Sequence, residues 1–374
     1  MRILLTSVGR PRIDTANGVE LEIYRLSETL ASMGHDVLLT CITHREASPV
    51  PGVDVRVFSP SAFPFTLPKN LPESILAWKP DVSVISSAYI PFNTRIAAWL
   101  RAKDIPYVIR PCGGYGALNE LVHTWKKRPY RALFELRMLN HASFIWAAGD
   151  EEDIRQYGTR APVVPTPRGF DRPRLPSTHR SGVEALQQLQ DKFIFGFLGR
   201  LDPVHKGLDL ALEAFQRLSD EGAAFVLVGP VDAEVRDHLN KIVSAGRGSD
   251  RVRMVGPLFR EDRDEFLGSI DAFVHTSRWE GGIPNSVIEA AIMAKPLLLT
   301  RQADPAELLH QSGGCVRVEL DVDSIVTGMR KLRDMSDAEL AAMGGRAAEA
   351  IASNFGWDKM VQGFLEGLRE NGVG

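Results

Sequence analysis

The chain has 374 residues, too many for a single hydrophobic core, so at least two domains are expected. At 44% hydrophobic, 24% charged and a net charge of −3, it is neither a disordered chain nor a basic nucleic-acid binder, and no apolar run is long enough to span a bilayer. Cys41, Cys112 and Cys315 lie far apart without disulfide or metal spacing, which fits a reducing cytoplasm.

Met1 leads straight into RILLTSV, a predicted buried strand with no signal peptide ahead of it. Strand-like and helix-like segments alternate from there to the C-terminus. That alternation predicts an α/β protein with two doubly wound, Rossmann-like parallel sheets. Gly18, in NGVE, is expected to let the backbone turn tightly and approach a sugar phosphate; an ordinary loop-to-helix glycine is the alternative. PYVIRPCGGYG then ends a strand and puts Arg110, Cys112 and Gly113 along its edge.

Residues 1–170 carry 20 Lys+Arg against 16 Asp+Glu, and the remainder carries 24 against 31. Much of the basic excess lies in residues 123–137, HTWKKRPYRALFELR. Lys126, Lys127, Arg128 and Arg131, interleaved with Trp125 and Tyr130, predict an interfacial helix on an anionic membrane surface. A solvated helix face would carry the same residues.

After a Pro- and Arg-rich connector, KFIFGFLGRLDPVHKGLDLALEAF reads as strand, Gly-led turn and helix. Gly199 and Arg200 follow the strand, and Lys206 stands at the mouth of the helix. Two cations six residues apart can converge on phosphate oxygens. A lysine at a helix N-terminus also opposes the dipole unless an anion lies nearby. VGPLF ends a further strand and offers Gly256 and Leu258 to a nucleotide base, or is simply a turn.

The most informative segment is WEGGIPNSVIEAAIMAKP, residues 279–296, which follows the apolar run DAFVHTS. Glu280 opens a turn made of Gly281, Gly282, Ile283 and Pro284, and a helix starts near Asn285 and carries Glu289. Backbone N–H groups at that helix start suit a diphosphate, and the flanking carboxylates suit vicinal diols of ribose or sugar. Ser286-x-x-Glu289 also fits a capping box, which would turn Glu289 back onto its own helix. Asp321-Val322-Asp323 spells an acid-x-acid pattern but precedes a helix, so capping is expected there and no metal site is predicted.

GRLDPVHKG followed by EGGIPNSVIEA resembles the donor domain of the retaining glycosyltransferases of family 4. NGVELEIYRLSETLASMGHDVLLTC and NFGWDKMVQGFLEGL extend the resemblance over nearly the whole chain. It implies the two-domain GT-B fold, with the domains facing each other. Residues 1–170 would form an acceptor domain, 171–353 a donor domain, and 354–374 a helix returning to the first domain. It also implies a UDP- or GDP-linked sugar as co-substrate, with no other cofactor, and a glycan or lipid-linked acceptor in polysaccharide or glycoconjugate assembly. The expected setting is cytoplasmic or peripheral on the cytoplasmic membrane face. Arg200, Lys206 and Glu280 would act in catalysis, with Glu289 on the ribose.

Two departures stand out. The family separates its two glutamates by one residue fewer than the eight between Glu280 and Glu289, and Cys112 stands where many members carry a histidine. A nucleotide-sugar epimerase of the same fold and a non-catalytic nucleotide- or carbohydrate-binding scaffold are the rival readings.

Overall fold

The computed structural model describes the chain except residues 13–17, 113, 116–123, 148–150, 172–183, 190, 247, 260, 281 and 374, and except the side chains of 124–126, 152–153 and 184–185. It contains two compact units, Met1–Gly169 with Phe355–Gly374, and Phe170–Asn354.

Unit 1 holds seven strands, β1 (Arg2–Val8), β2 (Asp36–Ile42), β3 (Asp54–Phe58), β4 (Val82–Ser86), β5 (Tyr107–Arg110), β6 (Phe144–Ala147) and β7 (Val163–Pro165). They pair in parallel in the order β3-β2-β1-β4-β5-β6-β7. A parallel sheet is covered on both faces, so its strands read as continuous apolar runs. Leu4, Leu38, Ile85 and Ile109 form one core with Ile96, Leu100 and Leu139. Their neighbours Ile3, Leu5, Val84 and Val108 form the other with Leu26 and Leu30.

The C-terminal helix, Trp357–Glu370, belongs to this second core through Met360, Val361, Phe364 and Leu368, one stripe at helical spacing. Phe364 stacks on Trp146 with centroids 4.5 Å apart and planes 19° from parallel. Gly363 and Gly367 admit the helix to the sheet edge, since an added Cβ would lie 2.9 Å from Thr166 and 3.0 Å from Val164. Truncating Phe364 to alanine would cost about 3–5 kcal/mol.

Unit 2 holds β8 (Phe193–Leu198), β9 (Ala223–Val228), β10 (Val252–Val255), β11 (Ala272–His275), β12 (Leu297–Thr300) and β13 (Cys315–Val318), in the order β10-β9-β8-β11-β12-β13. All pairings are parallel. The strand order reverses direction between β8 and β11. Connections diverge there and leave a crevice at the carboxyl ends, the usual ligand position in such sheets.

The basic segment expected to be helical is helical from Thr124 to Leu139, with a π-turn inside it. A helix over Thr124–Tyr130 contains Pro129 and passes into a π-turn, Arg131–Glu135, before Leu136–Leu139 resumes α geometry. The π-turn shifts the helical register after Tyr130 without interrupting the helix. Part of the basic face is engaged within unit 1. Lys127 lies over the Tyr89 ring at 5.0 Å, and Arg131 lies over the Tyr157 ring at 4.0 Å while donating to the Tyr157 carbonyl. Glu135 is fully buried, accepting from the Tyr115 hydroxyl at 2.7 Å and the Tyr89 amide at 2.9 Å. Among the described residues no helix is long and apolar enough to cross a membrane.

Candidate functional site

The strands flanking the switch point of unit 2 each deliver a loop, and the loops are bolted together. After β8, Gly199 takes φ +150°, which fits beside Gly229 after β9, where a Cβ would lie 1.8 Å from the Gly199 carbonyl. Asp202 then accepts from the amides of Val204 and His205 at 3.1 and 2.9 Å, tightening the turn. Gly207, at φ +62°, caps the helix Leu208–Leu218, and a Cβ there would lie 2.1 Å from the Thr276 carbonyl. From the β11 side, Thr276 donates its hydroxyl toward the carbonyls of Lys206 and Gly207 at 3.2 and 3.1 Å. Arg278 forms two 2.8 Å bonds to Asp209, and the His205 ring stacks on Trp279 at 4.7 Å, 3° from parallel.

Within that frame the ammonium of Lys206 lies 2.5 Å from Glu280 Oε1, and Ser277 donates to the same oxygen at 2.6 Å. Their side chains are 14% and 12% exposed, so the pair is held largely out of water. The anion that Lys206 requires at its helix mouth is therefore Glu280. Placing Lys206 on a diphosphate and Glu280 on a sugar as independent groups is revised accordingly. His205 and His275 come within 3.8 and 3.9 Å of the same carboxylate oxygen. Burial first, and then the Lys206 charge, lower both imidazoles below the ordinary histidine range, His275 strongly. Both rings are neutral near pH 7. Arg200 differs from Lys206: its side chain is 63% exposed, 3.5 Å from Asp202 and 3.3 Å from His205 Nδ1.

Glu280 leads into the turn where Gly282 takes φ +108°, a backbone that favours glycine; Gly281 lies outside the described residues. Ile283 and Pro284 are buried, and the helix runs Asn285–Ile292 with Pro284 as its N-cap and no side-chain cap bond. Ser286 is thus the second helical residue, so Ser286 and Glu289 form no capping box. Glu289, one turn higher, accepts from Arg263 at 3.0 Å instead. Arg263 also pairs with Asp264 at 3.3 Å. Burial pushes the Glu289 carboxyl up to about 7; Arg263 opposes the rise, and Asp264 and Asp171 add to it.

Gly256 and Leu258 follow β10 and are half-buried. An added Cβ on Gly256 would meet nothing within 4 Å. β10 stands two positions from β8, about 10 Å along the same edge at ordinary strand spacing.

The residues assigned to the edge of unit 1 behave differently. Arg110, closing β5, is 2% exposed and donates to Glu22 at 2.8 Å and to the Trp146 carbonyl at 3.3 Å, with its guanidinium 5.0 Å from the Trp146 ring centre. It is enclosed and does not line an open edge, which corrects the expectation from sequence. Burial raises the Glu22 carboxyl, but Arg110 and then Arg168 outweigh it and hold it below the usual value. Cys112 sits at φ +53° with Sγ 3.8 Å from Glu22, and Gly113 lies outside the described residues. Gly18 opens the helix Gly18–Ser32 without a left-handed φ, and an added Cβ would meet nothing within 4 Å. Gly18 itself therefore takes no conformation that requires glycine, and residues 13–17 before it lie outside the described residues.

Asp321 is a helix cap, accepting from the Ser324 amide at 2.8 Å, and Asp323 pairs with Arg217 at 3.0 Å. Among the described residues no three His, Cys, Asp or Glu groups cluster as a metal site would.

His205, His275, Ser277, Arg263 and the Arg278–Asp209 bolt were not singled out from sequence. One signal for them exists. HTS, three polar residues at the end of a buried apolar run, is where a parallel strand meets its ligand edge.

Two such α/β units, each with a parallel sheet and one with a charged, loop-built edge at its switch point, define the GT-B class of architecture. Residues 192–335 match the family glycosyl transferases group 1, and residues 17–169 match the glycosyl transferase 4-like domain. The two matches together span most of the chain, which belongs to the group 1 glycosyltransferases. No curated protein matches the sequence. Solved structures share the fold at low identity. Sucrose-phosphate synthase from Thermosynechococcus elongatus is 18% identical over 99% of this chain and 98% of that one, with a TM-score of 0.73. Anabaena HepE, in complex with UDP and glucose, is 17% identical over 99% of both chains, at 0.74. Trehalose-6-phosphate synthase OtsA is 13% identical over 99% of both, at 0.73.

Proposed function

We propose that this glycosyltransferase moves a hexosyl group from a UDP- or GDP-linked sugar to a glycan or lipid-linked acceptor, with retention and without a metal. The observation that carries the reading is the Lys206–Glu280 pair, 2.5 Å apart beside the start of the helix bearing Glu289. A cation and a helix N-terminus at one switch point suit the diphosphate of such a donor, and the carboxylates of Glu280 and Glu289 suit its sugar and ribose hydroxyls. Anabaena HepE, of the same fold, has been solved with UDP-glucose, which supports a uridine-linked donor.

In this reading Glu280 aims the ammonium of Lys206 at the diphosphate, and the exposed guanidinium of Arg200 reaches it from the other side of the turn. As negative charge builds on the departing diphosphate, both cations stabilise it more than they stabilise the bound donor. The neutral imidazoles of His205 and His275 add no competing charge. Glu289, oriented by Arg263, accepts from the ribose hydroxyls. The leaving phosphate takes the proton of the attacking hydroxyl on the same face, so the protein supplies no nucleophile. Acceptor recognition falls to unit 1.

Glu289→Gln tests the donor assignment. A carboxylate on a diol makes charge-assisted bonds of roughly 1.5–3 kcal/mol each, which the amide does not reproduce on both oxygens. Donor affinity, read by calorimetry with UDP- and GDP-sugars, is expected to fall tenfold or more. Ser286→Ala, which removes no cap bond, is expected to keep it. Equal donor affinity in wild type and Glu289→Gln would remove Glu289 from the site. Donor bound but never transferred to any acceptor would favour the scaffold reading.

A further inference from the structure

Unit 1 contains a groove of about 450 Å³ that the donor chemistry does not use. One wall is the helix Pro91–Arg101, which turns Arg95, Ala98 and Arg101 to the same side. Leu133, Phe134 and Arg137 of the helix with the π-turn also line it, as does Phe65. No acidic residue lines the groove. Among the described residues none of the three guanidiniums has a carboxylate within ion-pair distance. Three uncompensated cations around an apolar trough form a field that attracts an anion carrying a hydrocarbon chain.

The surface beside the groove is apolar as well. Leu133 is 65% exposed, and the rings of Phe65 and Phe134, which line the groove with it, meet at 5.0 Å. Two chain segments far apart in sequence therefore bring three exposed large hydrophobic side chains to the same surface, the kind of patch that marks an interaction site. Its position argues against a reacting substrate. The groove reaches Tyr107, the first residue of β5, and Arg101, in the last turn of its helix, whereas ligands of parallel sheets react at the carboxyl edge.

We propose that this groove seats an anionic phospholipid of a bilayer surface, with its phosphate on Arg95, Arg101 and Arg137 and an acyl chain over Ala98 between Leu133 and Phe134. Leu133 then dips into the interface beside it. Small Ala98 leaves the trough open for the chain. This assignment stands beside the basic helix expected from sequence, two of whose cations, Lys127 and Arg131, lie over tyrosine rings. It does not depend on the donor reading.

The test is flotation of the full chain with phosphatidylcholine vesicles, either neutral or containing about one third phosphatidylglycerol. Wild type is expected to float with the anionic vesicles only, and less at high salt. Replacing Arg95, Arg101 and Arg137 together with glutamine removes three charges worth roughly fivefold each, so partition should drop on the order of a hundredfold. Ala98→Trp fills the trough without changing charge and should lower partition about tenfold, the worth of a few buried methylenes. Soluble glycerol phosphate should not compete. Three results would overturn the proposal: no preference for anionic vesicles, wild-type partition by Ala98→Trp, or displacement by glycerol phosphate. Donor binding by the same variants, measured by thermal shift, is expected to be unchanged, which keeps this test separate from the donor assignment. An unaltered melting temperature of each free variant checks that it folds.

Discussion

Arg110 ends β5 in unit 1 with a side chain 3% exposed, whereas Arg200 follows β8 in unit 2 with a side chain 63% exposed. Both are arginines at the carboxyl edge of a parallel sheet. The first is enclosed by Glu22, the Trp146 ring and a carbonyl; the second stands in a loop tightened by Asp202. A guanidinium that has left water is useful mainly for holding its surroundings together, because separating it from its partner strands a buried charge. One that remains in water is available to a ligand. Unit 2 adds an intermediate case in Lys206 and Glu280, shielded but at a loop surface. Unit 1 is therefore expected to lose stability when its edge is altered, and unit 2 to lose turnover.

The largest effect should come from Glu22→Ala. It leaves Arg110 buried without its carboxylate, and urea unfolding should show a loss of about 3–5 kcal/mol. A loss below about 1 kcal/mol would mean that Arg110 finds water, and the contrast between the two edges would collapse.

Next comes Lys206→Met. Transfer should fall about a hundredfold or more, as for removal of one donor to a developing oxyanion. Unfolding free energy should drop much less than in Glu22→Ala, because Ser277 still donates to Glu280. The wild-type rate should also survive excess EDTA. Activity lost to chelator and restored by manganese would shift the leaving-group role from Lys206 to a metal.

The smallest and most diagnostic effect is a pH dependence. Glu289 titrates at about 7 in the folded chain against an ordinary 4.5. Between those values the folded state holds a proton that the unfolded state has released, so this group adds stability as pH falls through the window. Donor binding through the carboxylate runs the other way and weakens as pH drops below 7. Glu289→Gln should abolish both trends. Glu22, held below its ordinary value, behaves oppositely: its contribution is complete above the unfolded pKa and is lost as pH falls through the folded one. Stability and donor affinity that rise and fall together across pH 5–7 would disconnect Glu289 from the donor.

Alternation of apolar strands and amphipathic helices, read from the chain alone, was enough to predict two parallel-sheet units, because each strand must be covered on both faces and only crossover helices do that. The strand–glycine–helix segments around Arg200 and Glu280 were legible for a similar reason. Left-handed backbone at Gly207 and Gly282 is a local requirement written in the residue itself. Partners were not legible. Arg263 reaches Glu289 across 26 positions, Lys206 reaches Glu280 across 74, and Glu22 reaches Arg110 across 88. Whether a charged residue faces water, a ligand or an opposite charge depends on which loops the sheet order brings together, and one-dimensional spacing carries no such information. The basic helix shows the same limit. It forms, but its Lys127 and Arg131 turn to Tyr89 and Tyr157, supplied by distant segments. Local propensity selects the elements; the packing of remote elements assigns each charge its use.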